Sequence, residues 1–139
     1  MRFAQMARNL VVTGLLCFQL IPIQATSDQA ADVRRPMQVG LATYYAQFFE
    51  GRVTASGTRF DNDAMVAAHP TYPFGTILRV TNLRNQRSVR VRVVDRGPAR
   101  GPRKNGVVID LSRAAAEKLG FTRAGRTRVR VELIQQGTP

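Results

Sequence analysis

Cysteine is almost missing from this chain: Cys17 is the only one among 139 residues. Without a second thiol, neither an internal disulfide nor a cysteine-based metal site can form. Histidine is equally scarce, His69 standing alone, which argues against any metal centre. Acidic residues are few, nine against 21 lysines and arginines, and the formal charge is +12. Such a surface attracts polyanions of any kind, so charge alone allows nucleic acid, anionic lipid or an acidic wall polymer. A long apolar segment is also lacking. The uncharged run from Leu10 to Ile23 falls short of the ~20 residues that span a bilayer. No internal repeat at a solenoid period is present.

What is there begins with an export pattern. Arg2 and Arg8 precede the apolar run, and small and polar residues follow from Ala25 to Ser27. That order predicts a secretory signal peptide over residues 1–25, cleaved after Ala25, and a periplasmic or secreted protein. A buried N-terminal helix is the bland alternative, disfavoured by the basic start, Pro22 and the polar segment beyond. A lipoprotein signal fails because Leu15 and Leu16 precede Cys17 where a small residue is needed, so no lasting membrane anchor is expected. Export also disfavours a nucleic-acid partner. Cleavage leaves 114 residues, enough for one domain with a real core and not for two.

Residues 26–37 are polar, contain Pro36 and show no periodicity, which predicts a disordered leader. From residue 38 short alternating segments take over. Val39 to Tyr45, Thr76 to Thr81, Val107 to Ile109 and Thr127 to Ile134 read as strands. The clearest is Ser88 to Val94, where Val89, Val91 and Val93 alternate with Arg90 and Arg92. Asn85-Gln86 predicts a hairpin turn, although the glycine that favours tight primed turns is missing. Ser112 to Leu119 predicts a helix, capped by Ser112 or Asp110 and stopped by Gly120. Several strands with one short helix argue for a small all-β barrel over residues 38–135, with residues 136–139 as a tail. A monomer is expected.

Few residues can carry chemistry. Asp95 follows the best strand and precedes Arg96-Gly97-Pro98, a position that projects a carboxyl group from a rigid support. An Asx turn explains it equally well. The cation of Arg96 would favour the ionised form, so Arg96 has to point elsewhere if Asp95 is a general acid. His69, in Ala67-Ala68-His69-Pro70, is either structural or a group that orients a carboxylate or a sugar hydroxyl. Asp110 is explained by helix capping and kept as a second-rank site residue. Tyr44, Tyr45, Phe48 and Phe49 form an aromatic cluster of which one or two rings are expected in a groove, stacking on sugars, and the rest in the core. Asp61 and Asp63 hint at a calcium loop but lack the remaining ligands.

Read together, Gly40-Leu41-Ala42-Thr43-Tyr44-Tyr45, Gly51-Arg52-Val53-Thr54-Ala55-Ser56-Gly57, Phe60-Asp61, Ala67-Ala68-His69, Pro73-Phe74-Gly75-Thr76, Val80-Thr81-Asn82, Asp95-Arg96-Gly97-Pro98 and Ile109-Asp110-Leu111-Ser112 resemble the rare lipoprotein A-like (RlpA-like) proteins. They cover nearly all of residues 38–134. The resemblance implies a six-stranded double-psi β-barrel with one or two short helices and a groove across one face, as in expansins. It implies lytic transglycosylase activity on peptidoglycan glycan strands, preferably those stripped of stem peptides, with no metal or organic cofactor. One acid/base residue would protonate the glycosidic oxygen while the sugar's own hydroxyl attacks, giving an anhydro product. The motif aspartate corresponds to Asp95 and the motif histidine to His69. Tyr45, Arg52, Thr54, Ser56, Thr58, Asn82, Arg96 and Asp110, in or beside the motifs, are the candidate substrate-binding residues.

Thr58 departs from the family, which usually carries a glutamate there. Threonine transfers no proton at neutral pH, so reduced or absent turnover is one expectation. A mechanism needing a single carboxyl group survives the change, unlike the two-carboxylate hydrolytic scheme. Neither the family's lipidation cysteine nor the glycan-binding repeat domain of some relatives is expected here. Three functions therefore compete: a transglycosylase, a non-catalytic expansin-like wall-binding module, and, on charge alone, an exported nucleic-acid binder.

Overall fold

The alternation of valine and arginine in residues 88–94 folds as strand β4 (Ser88–Asp95), with the three valines buried and the two arginines in solvent. This is seen in a computed structural model that describes residues 36–138; the expected signal peptide and the leader up to residue 35 lie outside the described residues. The other period-two segments become β1 (Met37–Tyr44), β3 (Ile77–Asn82), β5 (Val107–Leu111) and β6 (Thr127–Gln135). The apolar piece before His69 is a short strand, β2 (Val66–Ala68). β1 starts at Met37, inside the expected leader, because Met37 pairs with Glu132 and the Pro36 carbonyl accepts the Leu133 amide at 3.2 Å.

The six strands close into a barrel in the order β1-β5-β2-β4-β3-β6, so none of them is left with an open edge. Two pairs, β1 with β5 and β2 with β4, are parallel, and the other four are antiparallel. This is the all-β barrel that the resemblance implies. Its interior is filled by fully buried Leu78, Val80, Val91, Ile109, Val129 and Val131. Each such side chain contributes about 1.5–3 kcal/mol by leaving water.

Two short helices decorate the barrel. α1 (Arg100–Lys104) was not expected from the sequence, and α2 (Arg113–Leu119) was. Ser112 caps α2, its hydroxyl accepting the Ala115 amide at 3.3 Å, and Gly120 ends the helix in the left-handed region at φ +76°. Asp110 is therefore not the cap; it is a strand residue.

The β3–β4 connection also differs from the expected two-residue turn. Thr81 pairs with Ser88, and the chain between strands is tied by Asn82 N donating to Arg87 O (2.8 Å) and Gln86 N to Asn82 O (2.8 Å). Without a glycine, Gln86 itself adopts φ +61°. A tight primed turn needs positive φ at both centres, which Asn85-Gln86 does not supply.

Candidate active site

Barrel closure places β2 between β5 and β4, and that order assembles the site. Ala68 of β2 is the register partner of Asp110 on one side and of Asp95 on the other, and Asp110 in turn faces Thr43 of β1. Four strands thus contribute the row Thr43, Asp110, Ala68, Asp95. Neighbouring strands are ~4.8 Å apart, and Ala68 puts only a buried methyl group between the two carboxyl-bearing positions. The register slips just before the row: Val93 pairs with Ala67, but Asp95 pairs with Ala68, so Val94 is passed over.

Asp95 is half-buried, and its carboxylate accepts three hydrogen bonds. Tyr45 donates its hydroxyl to Oδ2 at 2.6 Å. The amides of Ala55 (2.9 Å) and Arg96 (2.8 Å) both donate to Oδ1. One of these is local, from the next residue in the chain rather than the one two positions on that an Asx turn uses; the other two arrive from distant segments. The Tyr45 hydroxyl is pushed well above its ordinary range by burial, by its bond to Asp95, and by the charges of Asp95 and Asp110. Burial raises the Asp110 carboxyl, the hydrogen bond from Thr43 opposes that shift, and the charge of Asp95 adds to it. Thr43 donates its hydroxyl to Asp110 Oδ1.

The Ala55 amide comes from a small hairpin over residues 51–60. Gly51 N donates to Phe60 O (2.9 Å), Thr54 N donates to Thr58 O (2.8 Å), and Val53 bridges Arg59. Gly57 turns it at φ +87°, a conformation that favours glycine. The hairpin walls a cleft of about 220 Å³ lined by Tyr45, Phe49, Arg52, Val53, Thr54, Phe60 and Asp95. Tyr45 packs on Phe60 with centroids 4.2 Å apart and meets Phe49 edge-on at 5.2 Å. The Arg52 guanidinium lies 5.0 Å from the centroid of Phe48, which is 63 % exposed. Tyr44 goes the other way, edge-on to buried Phe121, with its hydroxyl on the Thr122 carbonyl.

Beside the cleft, three hydroxyls close a triangle: Thr54 to Ser56 2.9 Å, Ser56 to Thr58 2.9 Å and Thr54 to Thr58 3.1 Å. Thr58 is its exposed corner. A polyhydroxyl ligand finds donors and acceptors there, but the triangle holds no group that transfers a proton at neutral pH.

Three expected site residues are elsewhere. His69 is buried, 3 % exposed. Its Nδ1 accepts the amides of Thr71 and Tyr72, both at 3.2 Å, and its Nε2 lies 3.3 Å from Gln38 Oε1. With both ring nitrogens engaged, the ring does not reach Asp95; only the His69 amide does, donating to the Asp95 backbone carbonyl at 3.1 Å. Arg96 turns its side chain away from the carboxylate. It donates to Tyr72 O at 2.9 Å and His69 O at 3.3 Å, and its guanidinium carbon sits 3.9 Å from the Phe74 ring centroid. Asn82, proposed to touch substrate, is 2 % exposed. Its amide donates to Leu119 O (2.9 Å) and its oxygen accepts Arg84 N and the Thr127 hydroxyl, so it braces α2 against β6. Asp61 is spent on an Asx turn, accepting Asp63 N at 2.8 Å, and among the described residues no cluster of metal-ligand side chains is formed.

Conversely, Thr43, Ala68 and Gly97 were not singled out, though they shape the site. A Cβ on Gly97 would stand 3.2 Å from both Ala68 Cβ and Asp110 Oδ2. Their signal was present in the motifs Ala42-Thr43-Tyr44, Ala67-Ala68-His69 and Arg96-Gly97-Pro98, but only the barrel register shows what they touch.

The barrel has known relatives. Residues 37–131 match the model of the family described as lytic transglycolase. A probable endolytic peptidoglycan transglycosylase RlpA of Synechocystis is 47% identical over 110 residues, covering 79% of this chain and 33% of that protein. The endolytic peptidoglycan transglycosylase RlpA of Pseudomonas aeruginosa is 50% identical over 103 residues, 74% of this chain and 29% of that one. The chain thus spans about a third of the length of these curated relatives. Among solved structures, a Streptomyces papain inhibitor aligns with a TM-score of 0.57 at 27% identity, over 72% of this chain and 96% of the other. A Clavibacter michiganensis expansin aligns at 0.56 and 24% identity, over 75% and 53%, a likeness of barrel fold.

Proposed function

The chain belongs to the lytic transglycolase family, and on that premise we propose that it cleaves peptidoglycan glycan strands by lytic transglycosylation, preferring strands without stem peptides. The observation that carries this is the Asp95 carboxyl group, held at a strand end by Tyr45 and the Ala55 amide and opening on an aromatic-lined cleft. In its protonated form Asp95 gives its proton to the glycosidic oxygen as the bond from C1 breaks. The hydroxyl of the same sugar then bonds to C1 and returns its proton to the Asp95 carboxylate. No water is consumed, and the acid is regenerated. Tyr45 holds Oδ2 in position, the hydroxyls of Thr54, Ser56 and Thr58 engage sugar hydroxyls, and the rings at the rim stack on sugar faces. Asp110 faces Asp95 across Ala68, and the Asp95 charge adds to the burial that raises the Asp110 carboxyl. His69 and Arg96 act as positioning residues: both hold the 69–74 loop against the end of β4.

We place this reaction outside the cytoplasm, supported by the N-terminal pattern of two arginines, apolar run and small residues; N-terminal sequencing of the cell-derived protein should begin after Ala25. The activity is tested by product analysis on stem-peptide-free glycan. Wild type should release anhydro-muramyl products and Asp95→Asn should not; equal product from both removes Asp95 from the mechanism. A second function, non-catalytic wall binding, is favoured by the Thr54–Ser56–Thr58 triangle standing where the family carries its glutamate. It requires that wild type binds sacculi without releasing products. A rise in turnover in Thr58→Glu would show that the missing carboxylate limits the enzyme.

A further inference from the structure

Across the barrel from β2 and β5, the outer face of β3, β4 and β6 forms a larger concavity of about 550 Å³, lined by Arg79, Arg90, Arg130, Thr81, Ser88 and Gln86. Its charge is unbalanced. Arg79 and Arg90 are direct register partners across β3 and β4, and like charges so opposed destabilise a sheet. The one carboxylate in the lining, Glu132, stands 3.3 Å from Arg130 Nε and is the register partner of Arg79 across β3 and β6. Three arginines against one glutamate leave a net charge of +2 in the groove. Its rim includes Gln86, the one non-glycine residue with positive φ among the described residues, and a held strain of this kind is associated with binding surfaces. The repulsion between the paired arginines is relieved if an anion sits between their guanidinium groups.

Arginine pairs of this geometry recognise carboxylates and phosphates by paired N–H donors. The groove contains no aromatic ring, so it suits a charged chain rather than a flat sugar face. Resting on the glycan substrate proposed above, we infer that this groove is a second binding site for the same polymer, taking the free lactyl carboxylates exposed when stem peptides are absent. Asp95 lies five residues beyond Arg90 on β4, roughly 17 Å at strand rise, so one stretch of glycan is held here while another is cut at Asp95. The preference for stripped strands then has a physical source outside the catalytic cleft, because a peptide-bearing lactyl group is an uncharged amide at that position.

The test is sedimentation with amidase-stripped sacculi, with and without carbodiimide amidation of their carboxylates. Wild type is compared with Arg79→Gln/Arg90→Gln, and with Arg123→Gln/Arg126→Gln as a charge-matched control on an exposed loop. The groove variant should bind stripped sacculi about tenfold more weakly, and amidation should bring wild type down to the same level. The control should bind like wild type. The groove variant should also cleave short soluble glycans at the wild-type rate. Equal binding by wild type and groove variant, an equal loss in the control, indifference to amidation, or tighter binding to a phosphate polymer than to stripped sacculi would each overturn the inference. If wild type releases no anhydro product from any glycan, the enzymatic function fails, and the binding comparison still decides the groove.

Discussion

Lowering the pH should destabilise this barrel through His69 before most carboxylates are protonated. His69 is 3 % exposed, with Nδ1 facing the amide hydrogens of Thr71 and Tyr72. A nitrogen that accepts two N–H donors has to be unprotonated, so the ring is neutral with its hydrogen on Nε2, toward Gln38. Protonation would set a third N–H against those two, in a buried place near the Arg96 charge. Burial first, and the Arg96 charge second, push the His69 pKa down from 6.5 to about 4. Between those two values the unfolded chain binds the proton and the folded chain does not. This contribution to stability is therefore complete above pH 6.5 and lost as pH falls toward 4. Two and a half pKa units correspond to about 3 kcal/mol, a large part of the 5–15 kcal/mol typical of a domain. Urea unfolding of wild type and His69→Asn at a series of pH values from 7 to 4 measures it. The substituted carboxamide oxygen can still accept the two amides but does not titrate, so wild type should lose about 3 kcal/mol more than the variant across this window. Parallel profiles, or a His69 ring that titrates near 6.5 by NMR, would refute the reasoning.

Two further predictions concern the carboxyl row. Asp110 has a raised folded pKa, so its ionisation costs stability as pH rises above the ordinary carboxylate range; Asp110→Asn should melt higher than wild type at pH 7 and converge with it in strong acid, and a lower melting point at both ends would contradict the burial argument. Gly97→Ala should cost about 1 kcal/mol through tight contact with Ala68 and the Asp110 carboxylate, and should lower kcat more than it raises KM on soluble glycan; an unchanged kcat would show that Asp110's position does not matter.

The sequence made strands legible wherever one face is buried and the other wet, as in Ser88 to Val94, because alternation follows directly from the pleat. It made α2 legible through Ser112 and Gly120, a cap and a stop with local causes. α1 was hidden because Gly101 and Pro102 fall within it, although a proline in the first turn costs a helix little. The candidate site was legible as a set of motifs but not as a set of contacts. Asp110 seemed spent on a helix cap until the register put it beside Ala68, and Asn82 and His69 stood in motifs for reasons of scaffolding. Whether a polar side chain faces substrate or braces a loop depends on residues tens of positions away, as with Asn82 and Leu119.

The register slips explain why Asp95 is available at all. Counting by twos from Val89 through Val91 and Val93 puts Asp95 on the face that fills the barrel, where an ionised carboxylate without partners is strongly disfavoured. Because β2 advances one residue while β4 advances two, Asp95 pairs with Ala68 instead and joins the face of Asp110 and Thr43. The passed-over Val94 keeps its carbonyl for Ser56 N at 3.2 Å, which fastens the hydroxyl-bearing hairpin to the same irregularity. A matching slip occurs in β5, where Leu41 pairs with Val107 but Ala42 with Ile109. There the extra residue is Val108, and its side chain fits only because Gly40 has no Cβ; one built at that position would overlap it. Extra residues of this kind re-aim side chains beside active sites. Here two of them act on the strands that bring Asp95 and Asp110 together, and the one in β4 also supplies the carbonyl that fastens the hairpin, so the site rests on these irregularities as much as on its motif residues.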